Sequence, residues 1–438
     1  MKTSEQFTSP PNRGGKKHFR NNKNLEMNKE LTIGLFGFGV VGEGIYDVLQ
    51  KTTSLNATIK KICIKHPDKK RNADSTLFTT DYGDILNDDE INVVVELIDD
   101  KDEAFKIVAI ALEKRKAVIS ANKAMIAQHL DELLALQAYH DVPLLYEAAV
   151  CGSIPIIRNL EEYFDNEMLK SISGIVNGST NYILSKMIDD GLTFKHALSC
   201  AQELGFAESN PQLDISGRDA VNKLAILLLH SYGINIDPMK LLHKGITCID
   251  QKDIAFAGKK GYKIKLVAQA TKLNDRTVAA FLLPQFIDYN NKLFGVHNEF
   301  NGVVIESHFA DKQFFYGKGA GRYPTASAVL SDIAALRYNY KYGYRKYSAL
   351  LGNYISNDFY MKVFVSFDEA TRPDLADFDS IEINNNSGER KYIVGNIHFE
   401  KLKNASWFDR VSVIVMPGRI VEKAIPEKGV IEEELVNA

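Results

Sequence analysis

The sequence predicts an α/β protein in three parts: a doubly wound domain, an α+β region behind it, and a small C-terminal β-rich appendage. Three observations carry this. Apolar strand-like runs alternate with helical stretches between Leu31 and Glu147. A Gly-x-Gly-x-x-Gly run, Gly37 to Gly42, follows the first of those strands and opens a helix. Beyond Pro155 the alternation gives way to Gly-, Ser- and Asn-rich loops, helices and later strand-like runs.

Length and composition allow this. The chain has 438 residues, 45% hydrophobic and 25% charged, enough for two or three domains with a large core. A net charge of -3 gives no reason to expect nucleic acid or an anionic membrane as main partner. Apolar runs such as Ile91 to Ile98 and Ala225 to Leu229 are too short to span a bilayer. The four cysteines (Cys63, Cys151, Cys200, Cys248) are spread out with no Cys-x-x-Cys pair, as expected for reduced thiols in a cytoplasmic protein. The ten histidines form no His-Glu-x-x-His, so no transition-metal site is expected.

Residues 1–28 carry Lys16, Lys17, Arg20 and Lys23, several Asn and few apolar side chains, and read as a disordered tail. They hold no apolar signal core and no amphipathic face for an organelle presequence, and Met27 is a second candidate start. The nucleotide-type domain is placed at 29–155. Leu31 to Phe36 is its first strand, with a helix through Tyr46, Val48 and Leu49. Strands at Ile62-Cys63-Ile64, Asn92 to Ile98, Ala117 to Ser120 and Pro143 to Glu147 follow, the last three separated by helices over Glu103 to Lys114 and Lys123 to His140.

The α+β region is placed at 156–318. It opens with a helix, Ile156 to Phe164, and a strand, Ile172 to Val176, and ends with strands at Tyr262 to Ala270, Val278 to Leu283 and Val303 to Phe309. The run Gly317-Lys318-Gly319-Ala320-Gly321 then opens a helix from about Thr325, and 319–345 is expected to return to the first domain. The appendage, 346–438, holds strand-like runs at Phe359 to Val365, Lys391 to Val394 and Val411 to Val415.

Strand, glycine run and helix together make the fingerprint of a Rossmann-like dinucleotide domain. Gly37 permits the tight turn, Gly39 lets backbone approach a pyrophosphate at the helix N-terminus, and Gly42 lets helix and strand pack closely. Phe38, Val40 and Val41 fill the same turn and are expected at the cofactor. The residue reading the ribose should end the second strand. An acid there would favour NAD, but this chain has Ile64-Lys65-His66-Pro67 and then Asp68-Lys69-Lys70-Arg71. The missing carboxylate and the cations led by Lys65 lean towards NADP over NAD; a solvated basic loop accounts equally well for the cations.

Seven further segments, in order, resemble homoserine dehydrogenases. They are Val95-Glu96-Leu97-Ile98, Ser120-Ala121-Asn122-Lys123, Tyr146 to Pro155, Gly174 to Leu184, Leu204 to Glu208, Asp214 to Lys223, and Gly319-Ala320-Gly321. The resemblance runs from about residue 31 to about 340. It implies an NADP(H)- or NAD(H)-dependent oxidoreductase that interconverts L-aspartate 4-semialdehyde and L-homoserine in threonine, methionine and isoleucine biosynthesis. It also implies a homodimer, with the α+β region serving substrate and dimerisation.

Carried over residue by residue, the resemblance makes Lys223 the proton donor and acceptor, and Lys123 the electrostatic partner touching substrate and cofactor. Hydride transfer needs such a proton carrier, and a lysine serves near neutral pH only if burial or another cation lowers its pKa. The two amines, on opposite sides of the substrate, are expected to disfavour each other's charge. Glu208, Asp214 and Asp219 would hold the substrate ammonium, with Thr180 also at the substrate. Ser120, Gly205, Glu208 and Gly319 would border the cofactor. Glu147, Val150, Gly152 and Ile154 match positions at which the family binds sodium, largely through backbone carbonyls.

Ordinary readings compete with these. Ser216-Gly217-Arg218-Asp219 has the form of a capping box, with Lys223 a solvated i+4 partner. Asn177 to Asn181 reads as a capped helix start. Cys151 interrupts the family's glycine-rich run; a buried thiol is expected there, since no histidine base stands near it in sequence. Asp99-Asp100 replaces the family's glycines after Glu-Leu-Ile, which puts that loop's cofactor contacts in question, and Ser120 replaces a threonine. The appendage lacks the Asp-x-x-Gly turn and helices of the family's amino-acid-binding regulatory domain, so threonine feedback is not expected. Rival functions are a dehydrogenase of different substrate on the same fold, or a non-enzymatic dinucleotide sensor.

Overall fold

A computed structural model describes residues 30–52, 54–165, 168–348, 352–387, 391–418 and 420–422. The tail expected over 1–28 lies outside the described residues. Strands β1 (Leu31–Phe36), β2 (Ala57–Cys63), β3 (Phe78–Thr79), β4 (Val93–Glu96), β5 (Ala117–Ser120) and β6 (Leu144–Leu145) form an all-parallel sheet in the order β3-β2-β1-β4-β5-β6. That is the doubly wound dinucleotide order. Ile33, Leu35, Val94, Val118 and Ile119 are fully buried, as expected for parallel strands.

The intervening helices are α1 (Val40–Lys51), α2 (Gly83–Leu86), α3 (Lys101–Glu113), α4 (Lys123–Gln128) and α5 (Leu130–His140). The single helix expected over Lys123 to His140 is broken at His129, which leaves helical geometry (φ -111°, ψ 25°) and stacks its ring 4.0 Å from that of Phe105.

After α6 (Ile156–Glu161) the chain builds a second, mixed sheet from β7 (Leu169–Ile175), β8 (Leu242–His243), β9 (Lys263–Lys272), β10 (Thr277–Ile287), β11 (Phe300–Ser307) and β12 (Lys312–Lys318). Helices α7 (Gly178–Asp189), α8 (Phe194–Glu203), α9 (Gln212–Ile215), α10 (Arg218–Tyr232) and α11 (Gln251–Lys259) belong to this region. In α10 every residue from Lys223 to Tyr232 is buried, which makes it a core helix rather than a surface one. Helix α12 (Arg322–Leu336) returns to the first domain and lies on α1. A Cβ on Gly44 of α1 would stand 2.8 Å from the Arg322 carbonyl oxygen, so this close approach needs glycine. The helix starts before Thr325 because Pro324 falls in its first turn, where a missing N–H costs nothing. Gly317 and Lys318, read as part of the run that opens the helix, are the last two residues of β12.

The appendage is not a separate unit. After α13 (Arg345–Ser348) and β13 (Tyr354–Ile355), β14 (Tyr360–Phe367), β15 (Phe378–Asn385), β16 (Lys391–His398) and β17 (Ser412–Val415) form an antiparallel sheet in the order β17-β14-β16-β15, with α14 (Phe399–Asn404) before β17. This matches a split βαββαβ arrangement whose first helix is reduced to two 3-10 turns, Glu369–Thr371 and Leu375–Asp377. β17 pairs with β10 through Gln285 and Val415, so the two sheets are continuous. Phe281 and Leu283 of β10 share one apolar cluster with Phe359, Val363, Phe399 and Trp407, which explains why the boundary vanishes. Among the described residues no helix is long and apolar enough to cross a membrane.

Candidate active site

The turn from β1 into α1 uses its three glycines differently. Gly37 has φ +94°, and a Cβ there would stand 2.8 Å from the Leu97 carbonyl oxygen. A Cβ on Gly42 would stand 2.5 Å from the Gly37 oxygen. The fold itself requires these two. Gly39 is the N-cap of α1, with no side-chain cap, and a Cβ there would meet nothing within 4 Å. The space beside the open helix N-terminus fits a pyrophosphate. Phe38 turns inward against Tyr46 and Phe78, Val41 is half-buried and Val40 is 63% exposed, so Phe38 can reach a ligand only through its backbone. Lys65 is exposed just past β2, beside the exposed Lys69 and Lys70.

Ser120 is placed differently from the expectation. It is fully buried, and its hydroxyl donates to Glu96 Oε2 at 2.5 Å and accepts from the Asn122 N–H at 3.0 Å. It shapes the end of β5 and offers no surface to a cofactor. Burial pushes the Glu96 carboxyl up to about 7, although Ser120 and the Ile98 N–H both bond to it. Asp100, in place of a family glycine, caps α3 by accepting from the N–H groups of Asp102 and Glu103.

The two lysines meet through one carboxylate. Lys123, at the start of α4, sets Nζ 2.9 Å from Asp219 Oδ1. Lys223, one turn beyond Asp219 on α10, sets Nζ 2.8 Å from Oδ2 and donates to the Val176 carbonyl at 2.8 Å. Two of its three N–H donors are thus used, and among the described residues the third meets no acceptor. The lysines differ in access: the Lys223 side chain is 11% exposed and that of Lys123 39%.

Asp219 can point this way because the capping reading fails. The N-cap of α10 is Gly217, in left-handed geometry at φ +86° and with no side-chain cap, while the buried Ser216 hydroxyl meets no partner among the described residues. Burial works to raise the Asp219 carboxyl, but the ammonium groups of Lys223 and Lys123 prevail and hold it well below the ordinary carboxylate range. Asp219 in turn raises the Lys123 ammonium above its usual value, against the effect of burial. The expected mutual weakening of two cations is therefore reversed for Lys123 by the acid between them.

Asn177 completes this floor. Its side-chain nitrogen donates to Asp214 Oδ1 at 2.7 Å and Asp219 Oδ2 at 2.9 Å, while its oxygen caps α7 by accepting from the Thr180 N–H at 2.8 Å. Sequence reasoning placed Asn177 only in a capped turn; nothing in its local spacing marks the bridge to two acids far along the chain. Thr180 is 1% exposed and donates its hydroxyl back to Asn177, so it braces the turn and presents no free donor to a substrate. Burial, and then Asp219, raise the Asp214 carboxyl. Glu208 and Gly205 lie on an exposed loop, fastened where Gln202 donates to the Glu208 carbonyl at 2.9 Å; Gly205 has φ +74° with open space around it.

The turn through Glu147, Val150, Gly152 and Ile154 is buried at each of these residues. The Glu147 carboxylate is already taken by the N–H groups of Ile157 and Arg158, 2.8 and 2.9 Å away, at the start of α6. A cation here would have to rely on carbonyls, and among the described residues no group of three or more His, Cys, Asp or Glu is placed to hold a metal. A Cβ on Gly152 would stand 2.5 Å from the Gly319 oxygen, so Gly319 packs against this turn. Cys151 is fully buried, and burial pushes its thiol up to about 12, which leaves it inert as a nucleophile.

Comparison with known proteins identifies the family of the chain. Residues 37–147 match the family model "Homoserine dehydrogenase, NAD binding domain", and residues 155–334 match "Homoserine dehydrogenase". The homoserine dehydrogenase of Bacillus subtilis is 36% identical over 324 residues, 72% of this chain and 75% of that protein. The crystal structure of a homoserine dehydrogenase from Thiobacillus denitrificans superposes with a TM-score of 0.76 at 26% identity, covering 89% of this chain and 98% of that one. A hyperthermophilic archaeal homoserine dehydrogenase mutant, solved in complex with NADPH, superposes at 0.61 with 25% identity, covering 72% and 99%.

Proposed function

The chain belongs to the homoserine dehydrogenase family, and from that premise we propose that it interconverts L-aspartate 4-semialdehyde and L-homoserine with a nicotinamide dinucleotide. The observation that carries this reading is the single Asp219 carboxylate held between Lys123 and Lys223 beside the nucleotide domain.

A dinucleotide held at the Gly37–Gly42 turn would supply or accept the hydride. Lys223 gives its unused proton to the oxygen that becomes alkoxide as the aldehyde carbon is reduced, and takes it back in the reverse direction. Lys123, kept charged by Asp219, stabilises negative charge on the same oxygen and on the cofactor side. Asp214 and the exposed Glu208 bind the substrate ammonium, with Asp219 behind them. The backbone around Gly39, with Gly205 and Gly319, lines the path of the dinucleotide.

The finer assignments follow from the same residues. Lys65 and the cations after it favour a 2′-phosphate, hence NADP(H) over NAD(H). The carbonyls of the buried 147–154 turn suit a sodium ion, a hard cation that takes oxygen ligands. A homodimer working in the cytoplasm, on the route to threonine, methionine and isoleucine, fits the family and the four free thiols. The deciding experiment compares initial rates of NADPH and NADH oxidation with aspartate semialdehyde and with other small semialdehydes. A clear preference for aspartate semialdehyde and NADPH is expected; faster turnover of another aldehyde overturns the substrate, and faster turnover with NADH overturns the cofactor.

A further inference from the structure

Helix α1 contains an electrostatic conflict. Its N-terminus is the proposed seat of a pyrophosphate, yet its first turn carries Glu43 and the next turn Asp47, while its only cation, Lys51, is at the far end. Glu43 stabilises the helix dipole, but a diphosphate arriving at the same end is repelled by it. Arg322 stands across from both acids. Its Nη2 is 2.6 Å from Asp47 Oδ2 and its Nη1 3.4 Å from Glu43 Oε2. Arg322 is also the first residue of α12, directly after Gly319-Ala320-Gly321, and its backbone is pressed onto Gly44. One side chain therefore pairs with both acids of α1, offsets half of their charge, and fixes the glycine loop against that helix.

We propose that Arg322 is a positioning residue for dinucleotide binding: it offsets one of the two negative charges of Glu43 and Asp47 and so lessens the repulsion that a pyrophosphate meets at the N-terminus of α1. This rests on the reading of the Gly37–Gly42 turn as the cofactor site. The side chains of Arg322, Glu43 and Asp47 are 37%, 34% and 26% exposed, so the effect is solvent-screened and salt-sensitive.

The test is equilibrium binding of NADPH, read by its fluorescence, at about 50 mM and about 500 mM salt, alongside thermal unfolding. Arg322→Gln is expected to weaken binding about fivefold to tenfold at low salt, with most of the gap closing at high salt. Glu43→Gln alone is expected to bind about twice as tightly as the parent at low salt. Adding Glu43→Gln and Asp47→Asn to Arg322→Gln should restore affinity. Arg322→Gln that melts earlier yet binds NADPH as the parent does overturns the proposal, as does weakened binding indifferent to salt. If Arg322→Gln does not fold, a Glu43→Gln variant with unchanged affinity overturns it by itself. A parent protein that binds neither NADPH nor NADH instead refutes the cofactor reading beneath it.

Discussion

Asp219 on α10 pairs with Lys123 on α4, Oδ1 to Nζ at 2.9 Å, and so ties the substrate region to the nucleotide domain across the place where chemistry is proposed. The same carboxylate holds Lys223 with its other oxygen. Its charge both orients two amines and offsets their repulsion, which makes it the most demanding residue of the site.

Asp219→Asn keeps the shape and removes the charge. Turnover of aspartate semialdehyde is expected to fall about a hundredfold or more. Stability should drop by up to about 3 kcal/mol, the low end for a broken buried pair because Lys123 is partly open to water. The pH dependence has a definite sign. A carboxyl depressed in the folded state contributes stability above its ordinary value and loses it as pH falls through its folded one. The parent should therefore lose stability below about pH 4 more steeply than Asp219→Asn. Urea melts at pH 7 and pH 3 measure this; identical acid limbs would count against the pairing.

Lys223→Ala removes the proposed proton carrier and leaves the Asp219–Lys123 pair in place. Turnover is expected to fall about a hundredfold at least, with NADPH affinity held within about twofold. A variant that binds NADPH normally and turns over at the parental rate shows that Lys223 is not the acid-base group.

Gly37→Ala and Gly39→Ala separate the needs of the fold from those of a ligand. At Gly37 the alanine must adopt φ +94° and meet the Leu97 carbonyl, so stability should fall by more than about 1 kcal/mol. At Gly39 the geometry is ordinary and the space is empty, so stability should hold or rise slightly. NADPH binding by Gly39→Ala should nevertheless weaken about tenfold, because the added methyl stands where backbone is proposed to meet the pyrophosphate. Parental affinity in that variant would remove the dinucleotide from this turn.

What could be read beforehand follows from physical range. The doubly wound, parallel character of the first domain rests on local alternation and one glycine run, both visible within a few dozen residues. The Asp219–Lys223 spacing is local too, but its partner Lys123 and the brace Asn177 come from distant segments, and only the resemblance placed the lysines near each other. The resemblance set Ser120 at the cofactor, and nothing local in the sequence shows that its hydroxyl is taken by the buried Glu96 on another strand. The resemblance likewise set Thr180 at the substrate, while its hydroxyl bonds back within the capped turn that the sequence also offered. The continuity of the appendage with the second sheet was not legible, because it depends on β17 finding β10, a pairing between strands more than a hundred residues apart.

Glu96 gives the last prediction. It is fully buried with no cation among the groups that shift it, and burial raises it from 4.5 to about 7. The folded state therefore holds a proton that the unfolded chain releases between about pH 4.5 and 7. The associated stability is fully present below pH 4.5 and is lost as pH rises through 7, an effect of order 3 kcal/mol. Glu96→Gln removes the ionisation. Its carbonyl oxygen can still accept from the Ile98 N–H, while its amide donates to the Ser120 hydroxyl, so both contacts survive. The variant should match the parent near pH 4.5 and exceed it at pH 8. Glu147 at about 7, with Asp332 and Asp253 at about 6, titrates in overlapping ranges, so the slope should flatten without vanishing. Melting temperatures from pH 4.5 to 8 decide it: parallel curves for parent and Glu96→Gln would mean that Glu96 stays charged in the fold, with a counter-charge or water reaching it between β4 and β5.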